Sequence, residues 1–567
     1  MFLFLLAPLE FLLPGYAWIR FSGLKKKFDI METLVISFVL SVGFAALFTA
    51  GLSLMTPHYL SYSVAGSVGL SATLIIASIG LSKRAQTSIP KLNRAMFPVG
   101  LIACVYAVML ATVFWSTPFY PTTDALDPIT HARVVEAISG GLARSTLLHS
   151  SFAIGMHFVA AVLGELVGLG SLNAIRFLLS VVIVVSLFLT YFCARTVLGS
   201  RYANLAVVAF AFIVPADATH FIDIGTFPNV LCDALVIAML WLIVSYTREP
   251  NLGLGLTLTF LAITGLFVHS TFLLFLLALW LFLPAFYVSH DRHFGNYLKS
   301  LLFATAGLIV LFIVLGSFAS ASFERIFTGY IVPSFPLTPL FLYVQILVWN
   351  YYVLVGPLVT LAVIGAVASI VIKRRNALWS VFLCIWFGLL FLIALISPQD
   401  WRFVLLSMIP ASLLLGSSIG WLMDLRYLSA RLGRSRARRT LLPILLCVLI
   451  LSGSFPNLLP RVYNPTNRNK EEAIFASMSW LAQNDAGQSV ASVGLSADYR
   501  YLTTLTGIPY AGDFNESANS TVAQARSAGF AYVAVFVQSP QFPTFESSSM
   551  FVEKYQNSVA AIFFIPA

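Results

Sequence analysis

Apolar runs about as long as a bilayer is thick recur along the chain from its first residues to residue 457. A hydrocarbon core about 30 Å thick takes roughly 20 apolar residues at 1.5 Å of rise each. In lipid such a run has to be helical, because each backbone N–H and C=O must be satisfied within its own segment. Of the 567 residues, 59% are hydrophobic and 10% charged, whereas a soluble domain carries about 25% charged residues. No ordinary water-soluble fold hides that much apolar surface.

The runs predict fourteen spans, at 2–20, 33–55, 62–82, 95–115, 173–197, 202–219, 228–246, 253–268, 270–287, 298–318, 346–372, 377–397, 403–423 and 440–457. The stretch 147–168 is apolar too, but it holds His149, His157 and Glu165 and reads as an interfacial helix. Met1 to Trp18 is broken by Glu10 and Pro14 and lacks a small-residue cleavage site, so it reads as a first span rather than a removable signal. The expected architecture is an α-helical polytopic membrane protein with a small extracytoplasmic α/β domain at its C-terminus. Residues 1–460 form the transmembrane domain and 461–567 the soluble one.

The net charge of +10 is explained by topology and not by nucleic acid. With the N-terminus outside, the alternate loops called cytoplasmic hold 22 of the 33 Lys and Arg residues, among them Lys25 to Lys27, Lys373 to Arg375 and the arginines of 426–439. Only Arg133, Arg144, Arg176, Arg325 and Arg402 fall outside, and the other six lie in the tail. Counting 147–168 as a span would reverse every later loop and put the Arg-rich loop outside. An even number of spans then leaves both termini extracytoplasmic, in what is expected to be the cell membrane. The five cysteines all fall in apolar runs with no CxxC pair, which argues against a disulfide framework or a zinc site.

Three segments on the predicted outer side are long enough to act: the loop 116–172, the proline-rich loop 319–345, and the tail. The tail alternates helix-like stretches (471–483, 520–528) with β-rich runs (489–493, 532–537, 560–565). The first loop carries Asp124 and Asp127, then Pro128, His131 and Arg133. Pro128 suits a first helical position and Asp127 an N-cap, so Asp127 has a purely structural reading as well. Capping needs neither Asp124 nor His131 and Arg133 beside it. A second polar cluster runs from Asp217 through His220 and Asp223 to Asn229, and a third sets Asp400, Trp401 and Arg402 at the outer end of a span. A plain connecting loop and an interfacial Trp with a snorkelling Arg explain these two equally well.

A first large outer loop with Asp127-Pro128-x-x-His131-x-Arg133, a second polar outer loop, further spans and an extracytoplasmic C-terminal domain resemble the GT-C superfamily of membrane glycosyltransferases. The likeness runs from about residue 95 to the end, mostly as layout. The acidic string resembles the first acidic motif of the oligosaccharyltransferase branch, and Gly225 to Asn229 stand where its second lies. Pro228 occupies the place of an acid, and the tail lacks that branch's Trp-Trp-Asp-Tyr-Gly signature. These departures point to transfer of a single sugar rather than of a whole oligosaccharide.

The resemblance implies a polyprenyl-phosphate-sugar donor, an acceptor of unknown kind, the bilayer as a partner, and no nucleic acid. Asp127 or Asp124 is the expected catalytic carboxylate. His131, Arg133, His220, Asp223 and Arg402 are the expected substrate-binding residues, and a divalent cation, if one takes part, falls to Asp127 and Asp223. A secondary transporter and a non-catalytic scaffold of the same fold are the competing readings. Against the first, Asp233 is the one acid clearly inside a span and no internal repeat is found.

Overall fold

The computed structural model describes residues 7–81, 96–115, 127–144, 154–199, 202–211, 227–314, 377–396, 406–424, 465–485, 488–493, 510–513 and 531–566. The chain divides into two compact units: Met1–Ala111, Val135–Ala218 and Phe227–Leu458 form one, and Thr112–Val134, Thr219–Thr226 and Leu459–Ala567 the other.

The first unit is a bundle of apolar helices. They are α1 (Ala7–Phe21), α2 (Ile30–Ser53), α3 (Tyr59–Leu81) and α4 (Phe97–Trp115), then, after α5 (Asp127–Ala137), α6 (Gly155–Val167) and α7 (Ser171–Val197). There follow α8 (Tyr202–Ala211), α9 (Phe227–Arg248), α10 (Leu252–Val268), α11 (Phe272–Val288), α12 (Phe294–Val314), α13 (Ala377–Ile396) and α14 (Met408–Asp424). Among the described residues five helices, α2, α3, α7, α9 and α12, are long and apolar enough to cross a membrane. The protein is thus an integral membrane protein. The expected spans 346–372 and 440–457 lie outside the described residues, and the count of fourteen stays with the sequence.

Close approach of backbones builds the bundle. A Cβ on Gly15 would collide with the Ser37 carbonyl oxygen, so α1 and α2 pack with no side chain between them. Trp241 of α9 is buried between Phe28 and Phe192, with ring centroids at 5.3 and 5.2 Å. In helix α6 Gly155 to Leu163 are all buried, His157 among them, against α2 and α7, while Glu165 is exposed. Its 13 residues reach only about 20 Å, short of a full crossing.

One end of the bundle is tied by charge. Asp29 and Glu32 make a capping box at the start of α2, and Arg195 at the end of α7 pairs with Glu32 and, at 3.6 Å, with Asp29. Lys27 reaches Glu249, just beyond α9, at 3.4 Å. The ends of α1, α7 and α9 therefore share one side, as the alternation of loops requires.

The C-terminal segment of the second unit holds α15 (Pro465–Asp485), β1 (Val490–Val493), β2 (Tyr510–Asp513), β3 (Tyr532–Phe536), α16 (Phe542–Glu546), β4 (Val552–Gln556) and β5 (Ala560–Phe564). The strands form one sheet in the order β2-β1-β3-β5-β4, parallel across β2-β1-β3 and antiparallel across β3-β5-β4. Strand alternation sends Val533, Val535, Ala561 and Phe563 into a core closed by Phe542, Phe545 and Phe551. The opposite face meets α15, where Trp480 stacks on Tyr555 at 5.5 Å and Tyr532 donates to Asp485 at 3.0 Å.

Candidate functional site

Helix α5 begins at Asp127, and Pro128 follows in the first turn, where its missing N–H goes unneeded. His131 comes one helical turn after Asp127. Ala132, Val135 and Ile138 form a buried stripe at i, i+3, i+6, while Thr130, Arg133 and Glu136 are exposed. At 100° per residue His131, half-buried, falls on the side of the buried stripe and Arg133 stands at the centre of the exposed one. His131 and Arg133 thus serve different surroundings, which their spacing in the sequence does not reveal.

The helix ends in a π-helical turn, Ile138–Leu142, whose Gly141 has φ 92°, a left-handed conformation that suits glycine. The Tyr59 hydroxyl, at the head of α3, donates to the Ile138 carbonyl and fixes this turn on the bundle. Of the other expected site residues, Asp124, His220, Asp223 and Arg402 lie outside the described residues. Among the described residues no three of His, Cys, Asp and Glu converge in a way that would hold a metal ion.

The end of the bundle opposite the Arg195 cluster carries further polar groups. Cys232 Sγ of α9 lies 3.7 Å from Thr271 Oγ1 at the head of α11. The Thr271 hydroxyl in turn lies 2.7 Å from His269 Nδ1, which accepts from the Thr271 N–H at 3.2 Å. With Nδ1 accepting, the proton of the neutral imidazole sits on Nε2. A Cβ on Gly155 would meet the Phe267 carbonyl oxygen at 2.9 Å, so the head of α6 closes against the end of α10. On α9, Asn229 is buried with an unpartnered Nδ2, and one turn further Asp233 has an unpartnered Oδ1. The sequence marked both residues, Asn229 as the end of a polar cluster and Asp233 as an acid inside a span. Neither residue type nor spacing could show that they lack partners.

Between α1, α2, α6 and α7 opens a groove of about 400 Å³ lined by apolar side chains alone, including Phe11, Val35, Phe38, Leu163, Phe177 and Phe188.

No protein-family model matches the chain, and no curated protein matches it by sequence. Solved structures do match it. The oligosaccharyltransferase of Archaeoglobus fulgidus, in complex with Zn and sulfate, matches at a TM-score of 0.51 with 12% identity over 82% of this chain and 72% of its own. ArnT of Cupriavidus metallidurans, bound to undecaprenyl phosphate, matches at 0.50 with 11% identity over 83% and 98%. Its apo form matches at 0.50 with 12% identity over the same shares. These are GT-C glycosyltransferases, and the chain has the GT-C fold.

Proposed function

We propose that this protein is a membrane glycosyltransferase that moves a single sugar from a polyprenyl-phosphate-linked donor to an acceptor on the outer face of the membrane. A fold alone does not fix an activity. The observation that carries the reading is that, within a GT-C fold, Asp127 opens a short helix of the first large loop with His131 one turn on.

A lipid-linked donor holds its sugar phosphate at the membrane surface. Transfer there needs a carboxylate to take a proton from the acceptor and cations to hold the leaving phosphate. Asp127, with Asp124 as the alternative, removes the acceptor hydroxyl proton. The acceptor oxygen bonds to the anomeric carbon as the bond from that carbon to the phosphate oxygen breaks, and polyprenyl phosphate leaves. Arg402, with Arg133 or His131, takes up the negative charge, a guanidinium suiting phosphate because it binds two oxygens at once. His220 and Asp223 contribute to substrate binding. A divalent cation would supply further charge at the phosphate, with Asp127 and Asp223 as its carboxylates.

The wholly apolar groove between α1, α2, α6 and α7 suits a polyprenyl tail, since no polar atom would be left unpaired beside it. The Cupriavidus ArnT match, bound to undecaprenyl phosphate, supports that class of lipid. Both termini and the C-terminal sheet lie on the outer side in this reading, with the sheet as a platform for the acceptor.

The test is transfer of radiolabelled sugar from polyprenyl-phosphate donors by the purified protein and by Asp127→Asn and Asp124→Asn. Loss of transfer with the folded protein retained supports the enzyme. Full transfer by both variants would refute the assignment of the base.

A further inference from the structure

Asn229 and Asp233 are one helical turn apart on α9, on the same face, and both are without a hydrogen-bond partner among the described residues. Their neighbours are engaged: Thr271 binds His269 Nδ1, and Cys232, between the two, lies against Thr271. Buried polar atoms in folded proteins almost always find a partner, and an intramembrane acid most of all. Two orphans on one face call for a ligand that satisfies both.

The chemistry of the orphan atoms narrows that ligand. Asn229 Nδ2 is a donor only, and Asp233 Oδ1 belongs to an acid group, which accepts as a carboxylate and can also donate as the neutral acid. A metal ion gains nothing from the amide N–H, and a hydrocarbon chain would leave both unpaired. A hydroxyl accepts from the first and donates to the second at once, and adjacent hydroxyls on a sugar ring can be shared between the two residues. Position fits as well: Asp233 is the seventh residue of α9, within about 10 Å of that helix's start.

We propose that Asn229 and Asp233 form the subsite that binds hydroxyls of the donor sugar. The proposal rests on the reading of the protein as a glycosyltransferase, and it makes these two residues determinants of which sugar is accepted.

The experiment uses the full-length protein in lipid nanodiscs and measures affinity for undecaprenyl phosphate and for its glucose, galactose and mannose esters. The wild type is expected to bind at least one ester more tightly than the bare lipid phosphate. Asn229→Leu and Asp233→Leu are each expected to weaken that ester at least tenfold and to change undecaprenyl phosphate by less than twofold. Neither is expected to lower Tm, because each removes an unpaired polar group from apolar surroundings. Asp233→Asn keeps the shape and gives a smaller loss, which serves if a Leu variant does not fold. Three results overturn the subsite: variants that bind the ester as the wild type does, ester and bare lipid weakened together, or a wild type that does not distinguish them. A fall in Tm with unchanged ester affinity also overturns it, since the pair is then hydrated and serves structure. A wild type that binds none of the four lipids defeats the proposed function itself, which separates the two failures.

Discussion

The two ends of the helix bundle differ in how their charged and acidic groups are satisfied. At one end every charge named here has a partner: Arg195 is held by Glu32 and Asp29, its guanidinium packs 5.4 Å from the Phe192 ring, and Lys27 reaches Glu249. At the other end Asn229, buried, and Asp233, half-buried, are unpaired beside a His269–Thr271 turn. Burying a polar group without a partner costs about 1–3 kcal/mol, so a fold keeps such groups where something else needs them. The paired end serves stability. The unpaired end, as the proposed sugar subsite, serves binding, and variants in the two places should differ in what they damage.

The largest effect is expected from Asp127→Asn at the head of α5. Removing a general base costs about 10²- to 10⁴-fold in rate. The expected result is a fall of that size in sugar transfer with unchanged Tm, read by initial rates and a thermal melt on the same preparation. The reverse pattern is expected from Arg195→Ala. It strips the cation from Glu32, whose side chain is only 8% exposed. Breaking a fully buried pair costs about 3–5 kcal/mol, and the partial exposure of Arg195 reduces this to about 2 kcal/mol. A thermal melt in detergent should show the loss, and transfer measured well below Tm should stay within about twofold of wild type, a margin of some 0.4 kcal/mol. Equal damage to rate and Tm by both variants would erase the contrast between the ends.

A third prediction asks whether pairing in the C-terminal sheet follows the rules of the paired end. Burial, with the hydrogen bond and charge of Asp485, raises the Tyr532 phenol above its usual value. A group whose pKa is raised in the folded state contributes stability that is fully present below its unfolded value, about 10 for tyrosine, and lost as pH rises through the folded one. Tyr532→Phe should therefore cost about 1 kcal/mol at neutral pH. The gap between variant and wild type should close in alkali, as denaturant titrations at neutral pH and above pH 10 would show.

The sequence carried the helices well because lipid leaves the backbone no other choice. The run 253–268 became Leu252–Val268, and 95–115 became Phe97–Trp115. In the tail, the β-rich runs at 489–493, 532–537 and 560–565 coincide with β1, β3 and β5. Strands β2 and β4 escaped notice for a physical reason. Both are edges of the sheet, and β4 is exposed along most of its length, so neither needs an apolar alternation. The surroundings of α6 were hidden in the same way: of its polar residues His157 and Glu165, tertiary packing put His157 inside and left Glu165 exposed. At the candidate site, residue types could be read, but satisfaction of hydrogen bonds could not. That property belongs to the packing of α9 against α10 and α11.

The smallest expected effect tests the contrast most strictly. Lys27 and Glu249 are also at the paired end, but Glu249 is 78% exposed. Water screens such a pair, and two long side chains lose freedom to hold it, so exposed pairs contribute about 0.2–1 kcal/mol. Lys27 also donates to the Glu249 carbonyl at 3.0 Å, a bond that water can replace at this surface. Lys27→Ala should thus lower stability by about 0.5 kcal/mol or less, and added salt should shrink the difference further. If it costs as much as Arg195→Ala, the end is held by its net charge and not by burial of one pair, and the distinction between a paired end and an unpaired one would rest on long-range electrostatics instead.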